Sequence, residues 1–269
     1  MTGISKPITT QDIIRMKQAG RAIAMLTAYD FPTARFLDDV GIDAVLVGDS
    51  ANMVFYGESN TLSITVDQMI YHTRAVARAV KRALVIADMP FMSYQVNADE
   101  ALRNAGRFLK EAGAAAVKME GGLPMVPTIR RAVDAGIPVM GHLGLVPQSI
   151  HRFGGYGVRG RGEDEKAFLK ESAQALQDAG CFSMVLEAIP SDLAREISLS
   201  IKIPTIGIGA GVGCDGQILV TNDLLGLFEE FQPKFVRRYA ELAKTMREAF
   251  TQYISDVRER RFPSEHEEY

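Results

Sequence analysis

Four times along this 269-residue chain a helix-like stretch runs into a glycine, and a short apolar run then leads to a polar side chain. The joints are DVGIDAVLVGD, EAGAAAVKME, DAGIPVMGH and DAGCFSMVLE, ending at Asp49, Glu120, His142 and Glu187. Gly41 to Asp49 is eight positions, Gly113 to Glu120 seven, Gly136 to His142 six and Gly180 to Glu187 seven. Glycine just past a helix takes the left-handed conformation that stops it. An apolar run of about six residues fits a strand buried on both faces, as parallel sheets require. Strands that start in register bring their polar ends into one layer, at the carboxyl rim where barrel enzymes carry their chemistry.

Further strand candidates are IAMLTAYD near residue 23, ALVIADMP near 83 and IPTIGIGAG near 203, with QILV at 217–220 as a short eighth. Helical stretches separate most of them. Thr65 and Gln68 have capping-box spacing ahead of an apolar stripe of Val66, Met69, Ile70, Val76 and Val80. Asn97 and Glu100 occupy the corresponding places in the next helix, with Phe108 and Leu109 turned inward. This alternation predicts right-handed βα units and an α/β fold, a single (β/α)8 TIM barrel over residues 1–269 with an N-terminal helix. No linker or composition break divides the chain. A helix is predicted directly after Pro233, and the charged tail at about 256–269 is predicted on the surface or at a subunit contact.

Composition excludes several classes. A net charge of −3 leaves no basic footprint for nucleic acid. No apolar stretch approaches membrane-spanning length, and the first residues lack a signal-peptide core, so a cytoplasmic protein without membrane partners is expected. Cys181 and Cys214 are too few for a disulfide framework; Cys181 reads as a small buried hydrophobe, and Cys214 lacks an evident base or metal partner.

Asp49, Asp88 and Glu120 each follow an apolar run, where an ionised carboxylate is costly unless paired or bound to metal. Three converging oxygen donors suit Mg²⁺; the alternative is a salt-bridge network closing the barrel mouth. Strand alternation points Lys118 the same way as Glu120, and Asp49 the same way as Val47. Lys118 would then set a positive charge beside the carboxylates, suited to an anionic substrate. Glu187, among apolar neighbours, is either a general base or a cap for the helix starting near Ser191. Ser50 either donates to a bound carboxylate or ties its own loop. His142 either orients a substrate oxygen as an auxiliary group or is a satisfied buried histidine. His72 and His151 read as structural. Residues 141–163 form a long Gly-rich segment expected to be a lid, made basic by Arg152, Arg159 and Arg161. The run GIGAGVGCDG, residues 207–216, is either an anion-receiving loop or a set of tight turns.

The segments MLTAYD, VGDS, HTRAVAR, ADMPFMSY, EAGAAAVKMEGG, GIPVMGHLGLVPQS, GGYGVRGR, IPTIGIGAG, CDGQILV and PKFVRRYA run in order over essentially the whole chain. In them the sequence closely resembles the ketopantoate hydroxymethyltransferase family. The resemblance implies a barrel of the phosphoenolpyruvate/pyruvate type assembled as a homodecamer. It implies one Mg²⁺ per subunit and transfer of a hydroxymethyl group from 5,10-methylenetetrahydrofolate to 3-methyl-2-oxobutanoate. By position, Asp49, Asp88 and Glu120 correspond to metal-site carboxylates, Asp49, Ser50, Asp88 and Lys118 to keto-acid contacts, and Glu187 to the catalytic base. Departures from the family pattern fall at the 51–61 loop, Gly157 and Asn222. The rival expectations are a Mg²⁺-dependent keto-acid lyase or mutase on the same barrel, and a non-catalytic keto-acid-binding barrel.

Overall fold

At all four joints the glycine has a left-handed backbone, with φ +88° at Gly41, +78° at Gly113, +86° at Gly136 and +93° at Gly180. These come from a computed structural model, which describes residues 6–229 and 232–269. Among the described residues the helices are α1 (Thr10–Gln18), α2 (Phe31–Asp39), α3 (Ala51–Val54), α4 (Val66–Ala79), α5 (Ala98–Lys110), α6 (Val126–Asp134), α7 (Ile150–Phe153), α8 (Glu163–Asp178), α9 (Ser191–Ser200), α10 (Thr221–Leu224) and α11 (Leu242–Arg258). The strands are β1 (Ile23–Thr27), β2 (Ala44–Val47), β3 (Leu84–Asp88), β4 (Ala116–Glu120), β5 (Val139–Gly144), β6 (Ser183–Glu187), β7 (Thr205–Ile208) and β8 (Gly216–Leu219). The strands pair in parallel, in chain order, and β8 closes on β1. The predicted (β/α)8 barrel is the fold.

Alternation along each strand separates two cores. Met25, Leu46, Ile86, Ala116, Met140, Val185, Ile206 and Ile218 fill the barrel. Val45, Val85, Val117, Val139, Met184 and Leu186 face outward against the helices. Ile13 and Met16 of α1 join the inner cluster, so α1 seals the barrel at the starts of the strands. Lys17 fastens that plug by donating to the carbonyls of Ser198 and Ile203 and pairing with Asp215 at 2.9 Å. The Thr65–Gln68 capping box starts α4 as predicted. Asn97 caps α5 by accepting from Glu100 N–H, without the reciprocal bond.

The chain divides into two compact units, one ending at Val220 and holding the barrel, the other Thr221–Tyr269. Within the second unit the predicted helix begins at Leu242, later than Pro233. Arg238 instead donates to the Phe228 carbonyl, Tyr239 N–H to Leu224 and Leu242 N–H to Leu225, bonds that hold this stretch against the end of α10. The tail is exposed from Val257 onward.

Candidate active site

The inward-facing series continues past the apolar core to polar residues at the carboxyl ends of four adjacent strands. Beyond Ile86 comes Asp88; beyond Ala116 come Lys118 and Glu120; beyond Met140 comes His142; beyond Val185 comes Glu187. Register sets Asp88 beside Lys118, Glu120 beside His142, and Glu187 beside Gly144. The polar positions therefore advance along the strands from β3 to β6. A barrel of this kind is staggered by about one residue per strand, so the advance keeps them near one level.

Four of these groups are almost wholly enclosed: Asp88 is 3% exposed, Lys118 4%, Glu120 6% and His142 2%. Charges so deep persist only when paired. Lys118 donates to Asp88 Oδ1 in a very short bond and lies 3.8 Å from Glu120 Oε1. Burial opposes its charge, but Asp88, Glu120 and Asp49 outweigh that and hold the ammonium protonated. His142 lies between two carboxylates, Nδ1 3.3 Å from Glu120 Oε1 and Nε2 3.2 Å from Glu187 Oε2. Both contacts fall off the hydrogen-bonding line, so they act as ion pairs while the ring nitrogens lack an aligned partner. Burial and Lys118 disfavour the imidazolium; Glu120 and Glu187 prevail and raise its pKa to about 9. Burial pushes the Glu120 carboxyl upward, but His142, Lys118 and the Gln148 N–H bring it below its ordinary value.

Asp49 reaches the cluster by another route. Alternation predicts that it shares the face of Val47, which packs outward. The chain leaves β2 at Val47 and turns through Gly48–Ser50, so Asp49 swings inward instead. Its N–H donates to Asp88 Oδ2 at 3.1 Å, and its carboxylate accepts from Gln148 Nε2 at 2.9 Å. A side chain at Gly48 would meet Ser50 Oγ and have to displace that hydroxyl. Burial and the charges of Asp88 and Glu120 raise the Asp49 carboxyl well above the usual range. Ser50 shares a 2.8 Å hydrogen bond with the Tyr29 hydroxyl.

Sequence reasoning passed over Gln148 and Tyr94, both buried here. The motif GLVPQS held the glutamine, but polar amides carry no charge signal to draw attention. Gln148 Nε2 donates to Asp49 and to the Met89 carbonyl, both at 2.9 Å, and its backbone N–H donates to Glu120 Oε2 at 3.0 Å. The Tyr94 hydroxyl donates to Gln148 Oε1 at 2.7 Å and accepts from Glu120 N–H at 2.9 Å.

Glu187 keeps partial access to solvent, with its side chain 16% exposed. It does not cap α9, whose start has Pro190 and no side-chain cap. Ala188 follows at φ +46°, a strained conformation held by its N–H donating to Ile208 and its carbonyl accepting from Arg159 N–H. The segment expected as a lid starts differently from prediction: residues up to Gly144 complete β5, and a 3-10 turn at Pro147–Ser149 and α7 follow. Arg159 is ion-paired to Glu165 and stacks 4.1 Å from the centre of the Phe153 ring, whereas Arg152 and Arg161 are exposed. Half-exposed Tyr156 overhangs the cluster; burial and the charges of Asp49, Glu187 and Glu120 raise its phenol pKa. Away from the site, His72 Nδ1 sits 2.7 Å from the Tyr29 carbonyl, and His151 is exposed on α7.

Asp49, Asp88 and Glu120 offer the hard oxygen donors that Mg²⁺ takes. Among the described residues no three His, Cys, Asp or Glu side chains are drawn together tightly enough to form a ready-made metal group. The donor chemistry still fits: Asp49 is disfavoured as an anion by the two other carboxylates, and a divalent cation among them would reverse that repulsion.

Solved structures share this architecture. A 2,3-dimethylmalate lyase of the PEP mutase/isocitrate lyase superfamily aligns with TM-score 0.64 at 19% identity, covering 93% of this chain and 86% of that one. A phosphonopyruvate hydrolase solved with oxalate and Mg²⁺ aligns with TM-score 0.65 at 16% identity, covering 97% and 93%. Fold and rim together define a closed parallel (β/α)8-barrel protein with a cluster of charged side chains at its carboxyl rim. Sequence comparison narrows this further. The family model for ketopantoate hydroxymethyltransferase matches residues 7–265. The 3-methyl-2-oxobutanoate hydroxymethyltransferase of Prosthecochloris aestuarii is 58% identical, covering 97% of this chain and 96% of that protein. The protein of that name from Pelobacter propionicus is 57% identical, covering 98% of each. The chain belongs to the ketopantoate hydroxymethyltransferase family.

Proposed function

We propose that the chain, acting as one catalytic protein, transfers a hydroxymethyl group from 5,10-methylenetetrahydrofolate to 3-methyl-2-oxobutanoate, yielding 2-dehydropantoate and tetrahydrofolate. This is the committed step toward pantothenate. One observation carries the reading: a buried ammonium, a buried imidazole and four carboxylates meet at one rim, with Glu187 the most accessible of the strand-end acids.

Asp49, Asp88 and Glu120 would hold Mg²⁺, which when bound supplies Lewis-acid stabilisation of charge on the keto oxygen. Lys118 contributes a fixed positive charge in a dry site, where it counts most. Ser50, with Asp49, Asp88 and Lys118, would bind the oxo-acid. Glu187 takes the proton from the carbon next to the ketone onto a carboxylate oxygen, and the carbon so freed attacks the folate methylene carbon, breaking one of its C–N bonds. The second C–N bond is then cleaved with water supplying the hydroxyl, and tetrahydrofolate leaves with its nitrogens reprotonated. His142 is the auxiliary group: its Nε2, 3.2 Å from Glu187 Oε2, orients that carboxylate toward the floor of the site. A homodecameric, cytoplasmic enzyme with one Mg²⁺ per subunit completes the proposal. Among the described residues no helix is long and apolar enough to cross a membrane.

The test is deuterium exchange at carbon 3 of 3-methyl-2-oxobutanoate, with Mg²⁺ and without folate. Wild-type protein should catalyse exchange, and Glu187→Gln should be slower by at least ~10²-fold, the usual scale of general-base catalysis. Exchange surviving in Glu187→Gln would remove that residue from the role. Keto-acid binding without exchange in wild type would favour an inert binding barrel.

A further inference from the structure

We propose that Gln148 is a positioning residue that sets the Asp49 and Glu120 carboxylates for the cation, an inference resting on the metal reading above. Gln148 stands on the turn between β5 and α7, on neither of the strands that lead to the two carboxylates. Its hydrogen-bonding capacity is saturated. Both Nε2 protons are used, on Asp49 Oδ2 and the Met89 carbonyl; both Oε1 acceptor positions are used, by the Tyr94 hydroxyl at 2.7 Å and Gln95 Nε2 at 2.9 Å. Turning the amide over would set oxygen against two oxygens and N–H against two donors, so the surroundings fix its orientation.

This geometry joins two carboxylates that arrive from different directions. Asp49 enters on a turn after β2, where no strand ladder fixes its side chain, and the Gln148 amide fixes one of its oxygens instead. Glu120 is held twice, its carboxylate by the Gln148 backbone N–H and its own backbone N–H by Tyr94. Asp49 and Glu120 repel each other and Asp88, so without the clamp Asp49 would relax away from the cluster. Groups that orient a metal's ligands commonly govern its affinity by ~10- to 100-fold. The backbone N–H survives any side-chain substitution except proline, so a Gln148 variant isolates the arm that reaches Asp49.

Calorimetric titration of MgCl₂ into the full-length protein with 3-methyl-2-oxobutanoate present tests this. Gln148→Leu should weaken Mg²⁺ binding by about 10- to 100-fold. Gln148→Met, which keeps the length but has no donor for Asp49, should weaken it about as much and decides the matter if the leucine variant fails to fold. Either loss, in a variant whose unfolding midpoint is near that of wild type, supports the assignment. Wild-type affinity in a folded Gln148→Leu or Gln148→Met overturns it and leaves the metal site standing. If wild-type protein itself takes up no Mg²⁺, the metal reading falls, and this inference with it.

Discussion

Gly144 and Glu187 are register partners on β5 and β6, and their backbones approach so closely that a Cβ on Gly144 would run into the Glu187 carbonyl oxygen. Gly144 also has φ +96°, where side chains are strained. Gly144→Ala therefore faces both strain and collision. Strain alone is on the order of 1–3 kcal/mol, and relief requires the Glu187 backbone to move. Urea denaturation should show a loss of at least that size. Turnover should fall more than the folded fraction does, because a shift of about 1 Å in a catalytic group costs on the order of 10²-fold. A variant with full activity and full stability would mean the strands separate freely here.

Lys118 is the only lysine among these rim residues, and Asp88 leans on it. Lys118→Met leaves that carboxylate buried without its partner, a change that typically costs about 3–5 kcal/mol. Adding Asp88→Asn should recover part of the loss. Equilibrium denaturation of both variants reads the effect, and an unchanged midpoint in Lys118→Met would show the pair is already solvated.

Asp88→Ala should abolish Mg²⁺-dependent binding of 3-methyl-2-oxobutanoate in calorimetry, since it removes both a hard oxygen donor and the acceptor of Lys118. Unchanged binding would mark the carboxylate as purely structural.

Cys181 gives a pH prediction outside the site. Burial, only partly opposed by a backbone hydrogen bond at Gly141, pushes its thiol up to about 12 from an ordinary 9.0. Below the unfolded value both states hold the proton. Between that value and about 12 the unfolded chain has lost it and the folded chain keeps it, so stability falls as pH rises. The alkaline slope of urea midpoints should be shallower in Cys181→Ala than in wild type. An identical slope in the two proteins would mean the thiol is not shielded.

The barrel was legible because its punctuation is local. Gly41, Gly113, Gly136 and Gly180 stop helices through their own backbone preferences, and the apolar runs behind them are too short and too uniform for anything but enclosed strands. The direction of Lys118 and Glu120 followed from alternation for the same reason. Asp49 broke that rule because it stands past the strand, where the Gly48 turn sets direction. The start of α11 was misjudged because contacts of residues 238–242 with the end of α10 override helix propensity. Gln148 and Tyr94 were illegible for a different reason: their importance lies in partners 26 to 99 residues away, which no local pattern encodes.

Ile13 and Met16 of α1 stopper the amino-terminal end of the barrel, which leaves the carboxyl rim as the side open to a ligand among the described residues. On the proposed function, a small acid held on the floor beside Lys118 would load before the bulkier cosubstrate settles above it. It would also wait for that neighbour to depart before leaving, an order of traffic set by the walls.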